Sequence, residues 1–225
     1  MKPYLVAVGG GSGSGKTTIV SELASALGND YSVLVISQDN YYNDLSHVPV
    51  EKRGEENFDH PNAFDHEMML EHLQSIKNGL PIETPIYDFK THTQTGQKQK
   101  LDPKQIILFD GIMSLHFEDI RKLFDFTVFV DVPDDVRILR RLQRDTIERG
   151  RTVSGIVRQY LLTVREMHDK YVLPTKWEAD LVVGWQSFNK RTIEKLVTLI
   201  SAEKKTIVEL ADNAAKNIEN PQLLS

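Results

Sequence analysis

The 225-residue chain contains no cysteine. That removes disulfides, thiolate nucleophiles and cysteine-ligated zinc or iron–sulfur sites from consideration. It also has no long apolar run. After Met1 and Lys2 only residues 4–8 are apolar before glycines begin, too few for a signal-peptide core or a membrane span. The expected location is the cytoplasm, with no membrane partner. A basic excess is missing too, since 27 lysines and arginines stand against 32 acids for a net charge of −5. DNA or RNA is therefore not an expected partner, and any phosphate chemistry has to be local. His66-Glu67 opens like a zinc-protease motif, but Leu70 stands where the second histidine ligand belongs. No Asn-Lys-x-Asp run reads a guanine base, and no internal repeat appears.

What the chain does have is enough apolar residue, 40%, to bury one full core. Short β-branched runs recur at residues 4–8, 32–36, 106–109, 127–130 and 181–183. Helix-compatible stretches lie at 15–27, 63–77, 134–149, 153–171 and 190–202. That alternation predicts an α/β fold: a five-stranded parallel sheet flanked by helices. Residues 80–101 break the pattern with Pro81, Pro85, Gly96 and many polar side chains, and read as a small β-rich hairpin insertion that helps build a substrate pocket. The organisation expected is one domain over 1–212, with a lid at 137–151, and a loosely attached tail over 213–225.

Residues Gly10, Gly11, Ser12, Gly13, Ser14, Gly15, Lys16 and Thr17, followed by Thr18, match the G-x-x-x-x-G-K-[ST] phosphate loop in full. The match follows the first strand and opens a helix, a context that a flexible linker has no reason to supply. Glycines let successive backbone N–H groups curl around a β-phosphate; Lys16 reaches the β and γ oxygens, and the Thr17 hydroxyl ligates magnesium. The architecture is then a P-loop NTPase fold. Asp110, ending the 106–109 run, reads as the second magnesium residue, although Asp-Gly is also an ordinary turn. Asp39 ends the second strand at the carboxyl edge of the sheet, where ligands of such folds gather. There it either takes the proton of an attacking hydroxyl or caps a turn.

Beyond the phosphate loop the chain resembles the uridine kinase family. The resemblance is carried by Gln38-Asp39 with Tyr42, Asn57-Phe58-Asp59-His60-Pro61, Tyr87-Asp88-Phe89 with Thr91-His92, Arg140 to Arg151 with Gln159-Tyr160, and Pro174-Thr175-Lys176 with Ala179-Asp180. It covers about residues 4–185. It implies phosphorylation of uridine and cytidine by ATP, or GTP in its place, with Mg2+. Asp39 would be the general base, Asp59 and Arg141 would meet the ribose hydroxyls, and Tyr87 and His92 the pyrimidine. Tyr42, Phe58, Arg151 and Gln159 would complete the nucleoside pocket. A homo-oligomer, commonly a tetramer, and feedback by CTP are further implications. The family usually has Glu where Asp110 stands, so magnesium contact here would use a bridging water.

Six arginines lie between Arg137 and Arg151 against only Asp145 and Glu148, a local positive excess in an acidic protein. On a helix Arg137, Arg141, Arg144 and Glu148 share a stripe, with Val136, Leu139 and Leu142 forming the opposing apolar one. Arg144 and Arg149 are the expected lid arginines that meet the donor phosphates during transfer. A lone histidine is more often structural, and only its neighbourhood beside Tyr87 assigns His92 to a site. Two rivals share the phosphate loop: a kinase for another alcohol, of the pantothenate or phosphoribulose type, and a non-catalytic nucleotide-binding regulatory protein.

Overall fold

The structure, a computed structural model, describes residues 2–184 and 190–219. Five parallel strands form the sheet in the order β2 (Val33–Ser37), β5 (Ile106–Asp110), β1 (Tyr4–Gly10), β6 (Phe126–Asp131) and β7 (Leu181–Gly184). β1 and β5 are buried at every position, because helices cover both faces of the sheet. Their side chains alternate between two layers. Tyr4, Val6 and Val8 join Ile19, Leu23, Leu196 and Ile200 on the face covered by α1 (Lys16–Leu27) and α8 (Lys190–Glu219). Leu5, with Ile107 and Phe109, meets Met69, Leu73 and Ile76 of α3 (His66–Lys77) on the other. The expected five-stranded parallel core is thus present, with strand limits shifted by a residue or so.

Three helix limits differ from the sequence expectation. α3 begins at His66 and not at Ala63, because Pro61–Ala63 forms a separate 3-10 turn and the Asp65 side chain caps the helix by accepting from the Met68 N–H at 3.0 Å. The predicted 153–171 helix is a helical run whose hydrogen-bonding register changes: α6 (Val153–Gln159), a π turn (Tyr160–Val164), α7 (Arg165–Met167), a second π turn (His168–Val172) and a 3-10 turn (Leu173–Glu178). α8 continues past the expected end at 202 to Glu219, through a stretch rich in Ala, Lys and Glu. It is docked by Ile193, Leu196 and Ile200, by the Tyr4 hydroxyl donating to Glu203, and by Lys204 donating to the Gln105 carbonyl. No described helix is long and apolar enough to cross a membrane.

The elements that frame the site leave the carboxyl ends of the strands. A short α2 (Val50–Arg53) lies in the loop after β2, α4 (Glu118–Arg121) in the loop after β5, and α5 (Asp134–Ile147) follows β6. The hairpin of β3 (Ile82–Asp88) and β4 (Thr93–Leu101) forms its own two-stranded antiparallel sheet, with a register shift between Pro85 and Tyr87. In α5 the amphipathic pattern is inverted: Arg137, Arg141 and Asp145 are the buried residues, whereas Leu139 is 65% exposed. The arginine stripe, not the apolar one, faces the protein.

The start of the central strand is fixed by Asp125. Its backbone N–H donates to the Leu5 carbonyl, its carboxylate accepts from the Leu5 N–H at 2.8 Å, and the same carboxylate pairs with Lys77 at 3.0 Å. Asp125→Ala would strand the Leu5 N–H and leave the Lys77 ammonium with the Leu123 carbonyl but no countercharge, and should lower unfolding free energy by about 1.5–3 kcal/mol. Urea titration checks this as a lower midpoint with an unchanged slope.

Candidate active site

The phosphate loop is shaped by its neighbours as much as by its own sequence. Gly15 (φ 89°) caps α1 with no side-chain bond to the helix, leaving the first amides of α1 open to an anion. Gly13 (φ 79°) lies so close to the Arg137 carbonyl of α5 that a Cβ there would collide with backbone. The loop is therefore packed directly against the first turn of α5. Arg137 itself is anchored by donating to the Val132 carbonyl and pairing with Asp134 at 2.6 Å.

Next to the loop lies a cavity that opens to solvent on one side, the concave form that small-molecule sites take. One end is polar. Ser12, Lys16 and Thr17 line it from the loop, Asp39 from the 3-10 turn after β2, and Asp110 from the end of β5. The Thr17 hydroxyl donates to Asp110 Oδ2 at 2.6 Å, while Asp110 Oδ1 is buried and has no hydrogen-bond partner among the described residues. Burial pushes the Lys16 ammonium below its ordinary value, an effect that Asp110 and Asp39 oppose. Burial likewise raises the Asp39 carboxyl, against the pull of Lys16. No hydrogen bond from a described side chain occupies that carboxylate.

Aromatic side chains line the other end. Tyr42 lies 5.2 Å from Tyr87 and edge-on to Phe58, and the Phe58 ring stacks on His92 at 4.7 Å. Burial, followed by Arg151, Arg149 and Arg53, lowers His92 and keeps its imidazole neutral. The Tyr87 hydroxyl is buried with no partner among the described residues. Asp59 and Arg141, both buried, face each other at 3.6 Å. Gln159 accepts from Arg141 at 3.0 Å and from Arg151 at 2.8 Å, which leaves its amide N–H groups free of these bonds.

Between the two ends stand Arg144 and Arg149, gathered with Arg141 and Arg151 around the fully buried carboxylate of Asp145 at 2.7–3.7 Å. Burial favours the neutral form of Asp145, but Arg144, Arg141 and Arg149 together outweigh it and hold the carboxyl below its ordinary value. Five cationic side chains line the cavity against three carboxylates, so the space between its ends is suited to an anion.

All eight residues expected in a nucleoside pocket, Tyr42, Phe58, Asp59, Tyr87, His92, Arg141, Arg151 and Gln159, line this one cavity with Asp39, Lys16 and Asp110. Of the loop positions, Gly10, Gly11, Gly13, Ser14, Gly15 and Thr18 support its shape without lining the cavity. Two contributors escape the sequence reading. Phe89 lines the cavity under Arg149, whose guanidinium carbon lies 4.4 Å from the ring centre; it stands in the turn just after β3, and its place beside Tyr87 and Asp88 in the sequence was the available signal. Asp145 as the arginine hub had only its i+4 spacing from Arg141 to reveal it.

The sequence model of the Phosphoribulokinase / Uridine kinase family matches residues 5–193. The uridine kinase of Brevibacillus brevis is 46% identical over 198 residues, covering 88% of this chain and 92% of that protein. That of Geobacillus sp. strain WCH70 is 43% identical over 208 residues, covering 92% and 96%. Among solved structures, phosphoribulokinase from Rhodobacter spheroides superposes with a TM-score of 0.61 at 13% identity, covering 81% of this chain and 70% of that one. D-glycerate 3-kinase from Cryptococcus neoformans does so with 0.59 at 15%, covering 83% and 87%. At such identities these two speak for the fold alone.

Lys16→Ala removes the one cation contributed by the phosphate loop. Turnover should fall at least about a hundredfold, with thermal unfolding little changed. Steady-state kinetics beside a melting curve checks both.

Proposed function

This chain belongs to the phosphoribulokinase/uridine kinase family, and on that footing we propose that it transfers the γ-phosphoryl group of ATP to the 5′-hydroxyl of uridine and cytidine. The observation that carries the reading is the single cavity in which Asp39 stands between the phosphate loop and an aromatic box containing the Asp59–Arg141 pair. Buried charges need partners, and a ribose diol supplies them. A base stacked among Tyr42, Phe58, Phe89 and His92 would meet the Tyr87 hydroxyl, the neutral His92 imidazole and the Gln159 amide. This aromatic lining disfavours a phosphoribulose or pantothenate type of acceptor.

In the reaction Asp39 accepts the proton of the 5′-hydroxyl as its oxygen attacks the γ-phosphorus. Lys16, Arg144 and Arg149 balance the charge that gathers on the transferring group and on the departing diphosphate. Magnesium, when bound, neutralises phosphate charge; the Thr17 hydroxyl and the unpartnered Asp110 Oδ1 are the hard oxygen donors that would hold it. GTP is the donor to test beside ATP. The reading places the enzyme in the cytoplasm. It also includes a homo-oligomer, for which the exposed Leu139, Ile147, Leu161 and Leu162 along α5 and the run after α6 offer apolar surface.

Product analysis after incubation with ATP, magnesium and each acceptor tests the assignment: uridine and cytidine should yield 5′-monophosphates, and pantothenate and ribulose phosphate nothing. Deoxyuridine leaves part of the Asp59–Arg141 site unpaired, so its kcat/KM should be about 10- to 100-fold below that of uridine. Asp59→Ala should narrow that gap while weakening uridine itself. Asp39→Asn should lower kcat by about 10²–10⁴ with little change in nucleoside affinity. Because Asp39 is raised above its ordinary 3.8 and acts as the carboxylate, wild-type kcat/KM should fall as pH drops through that raised value. The residual activity of Asp39→Asn should lack this acid limb.

A further inference from the structure

Arg53 lies outside the cavity, at the last position of α2, and is half-buried. Its guanidinium donates to three backbone carbonyls: Nε to Val48 at 2.7 Å, Nη2 to Ser46 at 3.2 Å and Nη1 to Thr91 at 2.9 Å. The first two belong to its own loop. The third belongs to the tip of the β3–β4 hairpin, one residue before His92.

His92 has φ 53°, the one positive value at a non-glycine position among the described residues. A side chain in that region is kept there only by its surroundings. Inside the turn, Asp88 accepts from the Lys90 N–H and the Thr91 hydroxyl, both at 2.9 Å, which shapes the tip without attaching it to the pocket. Attachment comes on either side of His92. Before it, Arg53 holds the Thr91 carbonyl. After it, the Gln94 N–H donates to Asp44 Oδ1 and the Gln94 side chain to the Tyr42 carbonyl, both at 3.2 Å. Arg53 supplies a charged donor before His92 and Asp44 a charged acceptor after it, and bonds to ionised groups are the stronger ones.

We infer that Arg53 is a positioning residue for nucleoside recognition: its grip on the Thr91 carbonyl fixes the left-handed backbone of His92, and with it the orientation in which the imidazole meets the base. The inference rests on the nucleoside reading of the pocket. Arg53 touches no substrate and acts through His92 alone.

The test is a double-mutant cycle. Uridine KM, kcat and ATP KM are measured for wild type, Arg53→Met, Arg53→Lys, His92→Ala and the pair Arg53→Met with His92→Ala. Arg53→Met should raise uridine KM about tenfold or more, with kcat within about threefold of wild type and ATP KM unchanged. Arg53→Lys, reaching one carbonyl but unable to span three, should recover part of the loss. In the His92→Ala background the same Arg53→Met change should move uridine KM by less than about twofold, because no imidazole remains to be placed. Additive losses in the pair, a wild-type uridine KM in Arg53→Met, a parallel rise in ATP KM, or a loss confined to kcat would each overturn the inference. A wild type that phosphorylates no nucleoside removes the functional reading and this inference together; an active wild type with additive variants removes this inference alone.

Discussion

Four guanidinium groups converge on the carboxylate of Asp145, whose side chain is completely buried, and even with Asp59 beside Arg141 two negative charges stand against four positive ones. That imbalance organises the cavity. Asp145 holds Arg141, Arg144, Arg149 and Arg151 close enough to act together, and the uncompensated charge faces the space between the phosphate loop and the aromatic box. Guanidinium groups fixed before substrate arrives need little reorganisation when charge moves, which is the condition under which they stabilise a transition state most. The inverted α5 follows from the same need: a helix that must deliver arginines inward turns Leu139 outward.

On the opposite wall the charges are arranged the other way round. Lys16 sits among Asp39 and Asp110, and burial disfavours the ionised forms of Lys16 and Asp39, so the two carboxylates sustain the ammonium and the ammonium sustains the Asp39 carboxylate. The pocket thus has a mixed wall suited to moving a proton and a cationic wall suited to holding phosphate. A hydroxyl placed beside Asp39 stands within the first and next to the second.

How far the sequence discloses this depends on whether the physics is local. β1, the phosphate loop and α1 are legible because a left-handed Gly15 before Lys16 is a local requirement of the loop, and a strand buried on both faces is a continuous apolar run. The lid arginines are legible as a charge excess, but not their direction, since a helical stripe does not say which side is core. Ala63 reads as a helix start until Pro61 and the Asp65 cap are seen to divide the segment. Asp145 lies within six residues of all four of its arginines, so its partners were in view and only its burial was hidden, whereas Arg53 was beyond reach because it acts on Thr91, brought in by another part of the fold. No window of sequence contains a tertiary partner.

The strand order carries a consequence for how the molecule comes into being. β1 precedes the other strands of the sheet in the chain and lies at its centre, yet Tyr4 pairs with Ile106 and Val6 with Phe126, and β1 makes no ladder with β2. The apolar strand that carries the phosphate loop must therefore wait, unpaired, while the β3–β4 hairpin and β5 leave the ribosome. Parallel pairings between such distant segments form late and leave hydrophobic edges open meanwhile. The loop waits longer still, because the carbonyl it packs against belongs to Arg137 on α5. The phosphate loop of a nascent chain therefore takes its final shape only once α5 has been made, so a half-made molecule carries the motif without its packing.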